Sequence, residues 1–399
     1  MHCTRKIDDD TIWVGADNRR LSLFEAAYSV PRGMSYNSYL ILDGKTALID
    51  TVDRAVTDQF LENVAYALGG RSLDYLIVQH MEPDHSATLM DVLLRYPECK
   101  VVCNKKILDM IYAYKGAHVD AKIVDDGDTL DLGKHKLVFI PAPMVHWPEV
   151  MVSLDVTSGT LFSADAFGMF GALNGAMFAD EVDFDRDHLD EARRYYSNIV
   201  GKYGKQVQSL LEKVIPLEVK KVCPLHGFVW RRNIDYYVNK YMQWSRYEPE
   251  KRGVVIAYAS VYGNTENVAN ILTCHLREAG VECVMHDVSV SEHSHIIADM
   301  FKYSHIVFAS VTYNGKAFVN MENLLHDIVA HNIKGRKISF IENGSWAGGA
   351  ARSMRGIISS LKDTELIGEP LSFKSSLHSG KCGELDALRD AILKSVCVS

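Results

Sequence analysis

The sequence lacks several features that mark common classes of protein. No Cys-x-x-Cys pair occurs among its eight cysteines, which disfavours a zinc ribbon, a rubredoxin-type iron site and a dithiol redox motif. No apolar run reaches the roughly 20 residues that span a bilayer, and residues 1–10 lack the apolar core of a secretory signal. The formal net charge of −8 gives no basic surface for nucleic acid. We therefore expect a cytoplasmic protein without a membrane or nucleic-acid partner, and buried free thiols at most of the cysteines.

The length and the composition indicate a globular protein of two domains. A chain of 399 residues is longer than a single hydrophobic core usually supports. Its content of 47% hydrophobic and 24% charged residues is ordinary for a folded protein. A short polar stretch with proline and glycine, residues 247–253, separates two halves with different patterns. We place the domains at residues 1–250 and 251–399.

The first half carries closely spaced strand-like runs with helical segments between them. The strand-like runs are residues 39–42, 46–49, 75–78 and 136–140. Apolar residues recur with helical spacing at 57–68 and 188–200. This mixture predicts an αββα sandwich, in which helices cover two packed sheets.

The second half shows a regular alternation of strand-like and helical segments. The strand-like segments are residues 254–258, 281–288, 305–310 and 337–341. Helical segments include 266–279 and 385–396. Strands that alternate with helices predict a parallel, doubly wound sheet.

Four potential metal ligands stand within six residues, directly after the run 75–78. They are His80, Glu82, Asp84 and His85. Three further candidates each follow a short apolar run, where strand ends can converge on one rim of a sandwich: His146, Asp165 and His226. A lone buried histidine or aspartate is more often a hydrogen-bonded structural residue. The prediction of a metal site therefore depends mainly on the dense six-residue group. Carboxylates beside imidazoles suit a hard, redox-active metal such as iron.

The six-residue group resembles the H-x-H-x-D-H signature of the metallo-β-lactamase superfamily, with Glu82 in the place of the second histidine. With a glutamate at this position, the group resembles the motif of the flavodiiron proteins. The resemblance implies a non-haem site with two iron ions. The implied ligands, which are also the expected catalytic residues, are His80, Glu82 and His146 for one iron, Asp84 and His226 for the other, and Asp165 as a bridge. His85 stays open between a ligand and a hydrogen-bonding neighbour. Tyr195 is a candidate hydrogen-bond donor beside the site.

A second motif opens the second half. The run Ser260-Val-Tyr-Gly-Asn-Thr265 follows a predicted strand, precedes a helix and resembles the phosphate loop of flavodoxins. Small and hydroxyl-bearing residues there can surround a phosphate at the positive end of the helix. Neither a Gly-x-Gly-x-x-Gly run nor a P-loop lysine occurs at this place, which disfavours a dinucleotide or nucleoside triphosphate site. The resemblance therefore implies FMN.

Two later loops complete the predicted flavin site, because ligands bind at the carboxyl edge of an open α/β sheet. The expected FMN-binding residues of the first loop are Ser260, Val261, Tyr262, Gly263, Asn264 and Thr265. Those of the later loops are Thr312, Tyr313, Asn314, Gly315, Asn343, Gly344, Ser345, Trp346, Ala347 and Gly348. Tyr313 and Trp346 are candidates to lie against the flavin ring, and the alternative for each is an ordinary surface or interface aromatic.

Together the two halves resemble the two-domain form of the flavodiiron proteins. The resemblance implies an oxidoreductase that takes electrons from a separate, rubredoxin-like carrier through FMN to the diiron site, and reduces O₂ to water, NO to N₂O, or both. It also implies a head-to-tail homodimer or a dimer of dimers. Two other classes stay open: a dinuclear hydrolase that acts on an ester or thioester, and a non-catalytic electron carrier or redox sensor. Activity on model thioesters and turnover with excess reductant would separate the three.

Overall fold

The computed structural model describes residues 2–398. The chain folds into two compact units, residues 1–242 and 243–399. The division between them falls inside the helix Ile234–Ser245. The domain limits 1–250 and 251–399 stay a prediction.

The first unit is built from two large sheets, two small two-stranded sheets and the helices around them. Its strands are β1 Arg5–Lys6, β2 Thr11–Trp13, β3 Ala16–Asn18, β4 Leu23–Phe24, β5 Tyr28–Ser29, β6 Met34–Tyr36, β7 Tyr39–Leu42, β8 Thr46–Ile49, β9 Tyr75–Ile77, β10 Lys100–Cys103, β11 Ala121–Ile123, β12 Thr129–Asp131, β13 Lys136–Pro141, β14 Met151–Asp155, β15 Thr160–Phe162 and β16 Lys221–Cys223. Its helices are α1 Thr57–Leu68, α2 Pro83–Ser86, α3 Leu89–Arg95, α4 Lys105–Lys115, α5 Phe184–Asp187, α6 Leu189–Tyr195 and α7 Gly204–Val214, followed by α8 Ile234–Ser245 across the division.

The two large sheets pack face to face as a sandwich. One has the order β1-β2-β7-β8-β9-β10-β11 and the other β12-β13-β14-β15-β16. The small sheets pair β3 with β6 and β4 with β5. The central strands β8 and β14 are buried along their whole length. Tyr39 of the first sheet meets Phe162 of the second, with ring centroids 5.5 Å apart. Helix α1 buries Phe60, Val64 and Leu68, one face of a helix, so the predicted αββα arrangement is confirmed.

The second unit is a doubly wound sheet. Its strands are β17 Lys251–Ala259, β18 Glu282–Asp287, β19 Tyr303–Tyr313, β20 Lys316–Ala317, β21 Lys337–Asn343, β22 Glu365–Leu366 and β23 Leu371–Phe373. Its helices are α9 Asn264–Glu278, α10 His293–Lys302, α11 Val319–Ala330, α12 Ala350–Ile358 and α13 Ser379–Val398. The parallel order β18-β17-β19-β21, continued by β22 and β23, is the 2-1-3-4-5 order of flavodoxin-like folds. The prediction of this fold class is confirmed.

Two expectations from the sequence need correction. The helix expected over 188–200 is α-helical only to Tyr195 and continues as a π-helical turn, Tyr196–Val200. Within it the side chain of Asn198 donates to the backbone oxygen of Arg194 at 2.8 Å, which takes a carbonyl that an α-helix would use for its own ladder. The cysteines are all free, but burial holds only for Cys99, Cys103, Cys223 and Cys283; the other four are exposed. Among the described residues no helix combines the length and the apolar character that crossing a membrane requires.

Candidate functional site

The first candidate ligands lie between the end of β9 and the start of α2. Pro83 opens α2, a position where proline costs no backbone hydrogen bond. Asp50 accepts hydrogen bonds from the backbone N–H of Gln79 at 2.7 Å and of His80 at 3.4 Å. These bonds fix the loop, so that one short segment presents its histidines and carboxylates together.

The other three candidates follow strands of the second sheet. His146 follows β13, Asp165 follows β15 and His226 follows β16. Two residues just before them, Met144 and Ala164, have positive φ angles of 64° and 49°. A left-handed conformation at a residue other than glycine costs roughly 1–3 kcal/mol and is enriched at functional sites.

The structure brings all seven predicted ligands into two buried groups. In each group, one potential ligand atom of every residue lies within 4.8 Å of the others. The first group contains His80, Glu82, His146 and Asp165, and the second Asp84, His85 and His226. Residues from both sheets therefore meet at one rim of the sandwich.

Asp165 joins the two groups, because each of its oxygens faces a different one. Its Oδ2 lies 3.1 Å from Nε2 of His146 and 3.4 Å from Nε2 of His80. Its Oδ1 lies 3.1 Å from Nε2 of His85 and 3.7 Å from Nε2 of His226. This is the arrangement that a bridging carboxylate needs.

Each group also has a second carboxylate between its histidines. Oε2 of Glu82 lies 3.0 Å from Nε2 of His146 and 3.2 Å from Nε2 of His80. Oδ2 of Asp84 lies 3.2 Å from Nε2 of both His85 and His226. His85 thus occupies in the second group the position that a ligand would take.

The carboxylates and histidines of the site control each other's charge. Burial alone would lower the pKa of His85 and of His146, but Asp165 and the other carboxylates outweigh burial and raise each pKa to about 9. Burial would raise the pKa of Asp165, yet the surrounding histidines hold it well below its ordinary value. The protons on these histidines therefore occupy positions between the histidines and the carboxylates. A metal ion that binds the same ligand atoms would displace them.

Several buried polar atoms of the site have no hydrogen-bond partner in the described part of the chain. They are both carboxylate oxygens of Asp84, Oδ1 of Asp165 and Nδ1 of His85. An unpaired carboxylate oxygen in a buried position is costly unless something else binds it. A pair of metal ions fits this set of donors.

Two contacts outside the groups hold ligand rings in place. Nδ1 of His80 lies 2.8 Å from Oε1 of Glu149, and Nδ1 of His226 lies 2.6 Å from the backbone oxygen of Ser35. Glu149 also accepts from the backbone N–H of Met81 at 3.1 Å. Such contacts orient a histidine so that its other nitrogen can bind metal. Glu149 was not predicted from the sequence. Its only sequence signal is the position of a glutamate just before a buried strand, β14.

Comparisons with known proteins agree with this geometry. Residues 34–227 match the family model described as ODP family beta lactamase. The chain is 32% identical over 369 residues to a nitric oxide reductase of Moorella thermoacetica, with 91% of each chain covered. It is 31% identical to an anaerobic nitric oxide reductase flavorubredoxin of Vibrio vulnificus, which covers 87% of this chain and 71% of that protein. This chain belongs to the flavodiiron protein family.

Solved structures extend the similarity to both units. The rubredoxin oxygen:oxidoreductase of Desulfovibrio gigas superposes with a TM-score of 0.93 at 25% identity, covering 100% of both chains. A flavoprotein of Thermotoga maritima gives a TM-score of 0.90 at 25% identity, covering 99% of this chain and 98% of that one. As a flavodiiron protein the chain is an oxidoreductase, and its cofactors are FMN and a non-haem diiron site.

The first flavin loop has the form that a phosphate site requires. Gly263, with φ of 84°, precedes α9, and no side chain caps that helix. The hydroxyl of Ser260 accepts from the N–H of Gly263 at 3.1 Å, which closes the loop. The first-turn N–H groups of α9 and its dipole are thus left to an anion.

The two later flavin loops lie against each other. The N–H of Ala350 donates to the hydroxyl of Thr312 at 3.2 Å. A Cβ atom at Gly349 would come within 2.5 Å of the backbone oxygen of Gly315, so only glycine permits this approach. Around them Tyr262 is 91% exposed and Trp346 88% exposed. Large aromatic rings held out from the surface at the mouth of the loops are suited to cover a planar ring system.

Proposed function

We propose that this protein takes electrons from a small redox carrier through FMN to its diiron site and there reduces O₂ to water, NO to N₂O, or both. The names of its relatives support this proposal, since one is a nitric oxide reductase and a structural neighbour is a rubredoxin oxygen:oxidoreductase. The geometry that carries the proposal is the sharing of Asp165 between two groups of ligands.

The ligand assignment is part of the proposal. His80, Glu82 and His146 hold one iron, and Asp84 and His226 hold the other, with Asp165 bound to both. The position of His85, 3.1 Å from Oδ1 of Asp165, supports a role as a further ligand in the second group. Glu82 makes the first group richer in oxygen than a histidine would, which favours iron over zinc.

When bound, the reduced flavin and the diferrous pair supply two electrons each, which together are the four that O₂ needs to become water. Residues of this chain orient the ligands of the buried site. Glu149 orients His80, and the backbone oxygen of Ser35 orients His226. The ring of Tyr195 lies 5.6 Å from that of His226, and its hydroxyl is buried without a partner among the described residues. We assign to this hydroxyl a hydrogen bond to substrate.

The flavin site is proposed at the three loops of the second unit. Residues 260–265 bind the phosphate, and residues 312–315 and 343–348 surround the ring system. The open start of α9 and the exposed rings of Tyr262 and Trp346 support this assignment.

The assembly and the location also belong to the proposal. We infer a head-to-tail homodimer, or a dimer of two such dimers, with a rubredoxin-like donor. The short polar segment 247–253 supports a dimer, because one chain has little freedom to bring its own flavin to its own irons.

We further infer a cytoplasmic location. The eight free thiols support it, because unpaired cysteines are typical of a reducing compartment.

The proposal is tested by metal analysis followed by reaction with each gas. Protein produced with ample iron should contain two irons and one FMN, and after anaerobic reduction it should consume O₂ without releasing peroxide, or convert NO to N₂O. The variant Glu82→His, which recreates the H-x-H-x-D-H signature, should shift the metal content from iron towards zinc. Two zinc ions in the unaltered protein, or no gas consumption by the reduced protein, would contradict the proposal.

A further inference from the structure

A series of oxidisable aromatic side chains runs from the metal centre to the protein surface. We name it the aromatic path. Its members, in order from the centre outward, are Tyr195 and its chain neighbour Tyr196, then Tyr241, Tyr237, Trp230 and Tyr236. All lie in the first unit, on α6 and the π-helical turn after it, on α8 and on the segment between β16 and α8.

The inner end of the path is in contact with the ligands. The ring of Tyr195 lies 5.6 Å from the ring of His226. The ring of Tyr241 lies 4.4 Å from Phe167, two residues after Asp165, and 4.9 Å from Tyr196, the neighbour of Tyr195. Burial above all, and in addition the charge of Asp165, raises the pKa of both Tyr195 and Tyr241.

The outer rings follow at distances suited to electron exchange between aromatic groups. Tyr241 and Tyr237 have centroids 5.3 Å apart, and Tyr237 stacks on Trp230 at 4.4 Å with an interplanar angle of 18°. Trp230 lies 6.4 Å from Tyr236, which is only half-buried. No step from Tyr241 outward thus exceeds 6.4 Å between ring centroids.

The outer end opens to a surface cavity and has a proton acceptor. Trp230 and Tyr236 both line a cavity of about 740 Å³. The hydroxyl of Tyr236 donates to the carboxylate of Asp185, which lines the same cavity. A tyrosine that loses an electron must also lose its phenolic proton, and Asp185 stands where that proton would go.

Packing by itself does not require these residue types. Phenylalanine would fill the same space without burying hydroxyl groups, whose burial is unfavourable when they lack a good partner. The hydroxyl of Tyr195, beside the metal ligands, is buried and has no partner in the described residues. Oxidisable rings at these places therefore call for a further explanation.

We propose that the aromatic path carries oxidising equivalents from the metal centre to the surface cavity, and so protects the ligands when reduction of O₂ stops short of four electrons. The proposal rests on the proposed function for the source of the oxidant. An inner tyrosine would give one electron and its phenolic proton to the oxidised centre, and it would take that proton back when an electron arrives from its outer neighbour. Each outer ring is restored in turn by an electron from the next ring and by the return of any proton that it gave up. Tyr236 is finally left one electron short, with its proton on Asp185.

A small thiol that enters the cavity restores the path. It gives one electron to Tyr236 and becomes a thiyl radical, and Asp185 returns the phenolic proton as the thiol loses its own to solvent. Two such events yield one disulfide. The overall result is the transfer of one electron per thiol to the centre, with one proton per thiol released to solvent.

The path is tested with Tyr237→Phe and Trp230→Phe in iron- and FMN-loaded protein, since each removes one oxidisable group and keeps an aromatic ring. Tyr303→Phe is the matched control, because it removes another buried tyrosine hydroxyl, in the second unit. The protein reacts with excess O₂ and limiting reductant. Radicals are trapped for electron paramagnetic resonance, oxidised residues are mapped by mass spectrometry, and turnovers before inactivation are counted.

We expect unaltered protein and Tyr303→Phe to show a radical and oxidation at Trp230 and Tyr236. Both path variants should keep the initial rate within about twofold, yet lose activity several-fold sooner and collect oxidation at the inner tyrosines or the ligand histidines. An added thiol should prolong the activity of the unaltered protein more than that of the variants. The same lifetime and the same pattern of oxidised residues in all four proteins would overturn the proposal.

Addition of hydrogen peroxide to the iron-loaded protein separates this proposal from the proposed function. Peroxide oxidises the centre whether or not the protein reduces O₂. Oxidation at Trp230 that disappears in Tyr237→Phe would support the path even in a protein that consumes neither gas. Consumption of O₂ together with an unchanged peroxide pattern in Tyr237→Phe would refute the path and leave the proposed function intact. Where Tyr237→Phe does not fold, Trp230→Phe gives the decision through oxidation at Tyr236, which should disappear if the path operates.

Discussion

At the scale of single residues, the proposed ligand assignment gives Asp165 the largest influence on the metal centre. It is buried, and its two oxygens face histidines of different groups. A terminal ligand affects one metal, but a bridging carboxylate also sets the distance between the two. The dinuclear character of the site therefore depends on this side chain more than on any single histidine.

Asp165→Ala should lose the dinuclear centre and keep FMN. The reason is that the flavin loops belong to the second unit, whereas Asp165 lies in the first. Iron analysis should give fewer than two irons per chain, and the flavin absorbance should be unchanged. Asp165→Asn, which keeps the volume and one oxygen, should retain more iron than the alanine variant. Loss of FMN in either variant would show that the two sites are not independent.

Glu149→Gln should weaken iron binding without removing a ligand. The amide cannot carry the negative charge that Glu149 presents to Nδ1 of His80 at 2.8 Å. Changes of this kind typically lower metal affinity or activity roughly 10- to 100-fold. A competition with a chelator measures the effect, and Glu98→Gln at an exposed position is the control. Equal iron retention in the two variants would contradict an orienting role for Glu149.

At the scale of secondary structure, the starts of helices α9 and α12 lie at the proposed flavin site. Helix α9 begins after Gly263 without a side-chain cap. Helix α12 begins after Gly349, whose missing Cβ lets the loop approach Gly315. Each helix begins after the carboxyl end of a strand of the parallel sheet.

Gly349→Ala should reduce FMN affinity by at least tenfold, because its Cβ would lie 2.5 Å from the oxygen of Gly315 and the two loops would have to separate. Gly356→Ala is the control within the same helix, since a Cβ there meets open space. That control should bind FMN normally and raise the melting temperature slightly, as alanine in a helix interior is favoured over glycine by about 1 kcal/mol. Fluorescence titration of the flavin-free proteins measures both affinities. Matching affinities would remove the argument for loop contact.

At the scale of the whole molecule, the two cofactors must exchange electrons although each is held by its own unit. The chain carries no second metal motif beside the flavin loops in the described residues. Electrons must therefore travel between units of one chain or between chains. The proposed head-to-tail dimer would solve this problem with the commonest symmetry of soluble oligomers.

Mixed dimers test this exchange. Chains with changes at Asn264 and Thr265 should lack FMN, and chains with His80 and Asp165 replaced should lack iron. If electrons cross between chains, co-expressed mixed dimers should recover activity that neither parent shows, up to about half of the normal rate per dimer. Full activity in a demonstrated monomer, or no recovery in purified mixed dimers, would exclude transfer between chains.

Much of the fold, and the set of candidate ligands that the structure groups together, was predictable from the sequence because the signals are local. The predicted strands 39–42 and 46–49 and the predicted helix 57–68 coincide with β7, β8 and α1. Apolar periodicity reports which face of an element is buried, and it is read over a few residues. The π-helical turn at Tyr196–Val200 was missed, since it depends on a side-chain bond from Asn198 that periodicity does not reveal.

The sequence by itself determined the types of element, the family and the set of candidate ligands, because six neighbouring residues and one loop carry that information. Only the tertiary structure decided which groups those ligands form, that the oxygens of Asp165 face opposite sides, and that His85 is directed at Asp165. It also places Glu149 beside His80, although the two are 69 residues apart in the sequence. It places the rings of the aromatic path next to one another as well. These relations depend on how two sheets and their helices pack, and packing joins residues that no local pattern connects.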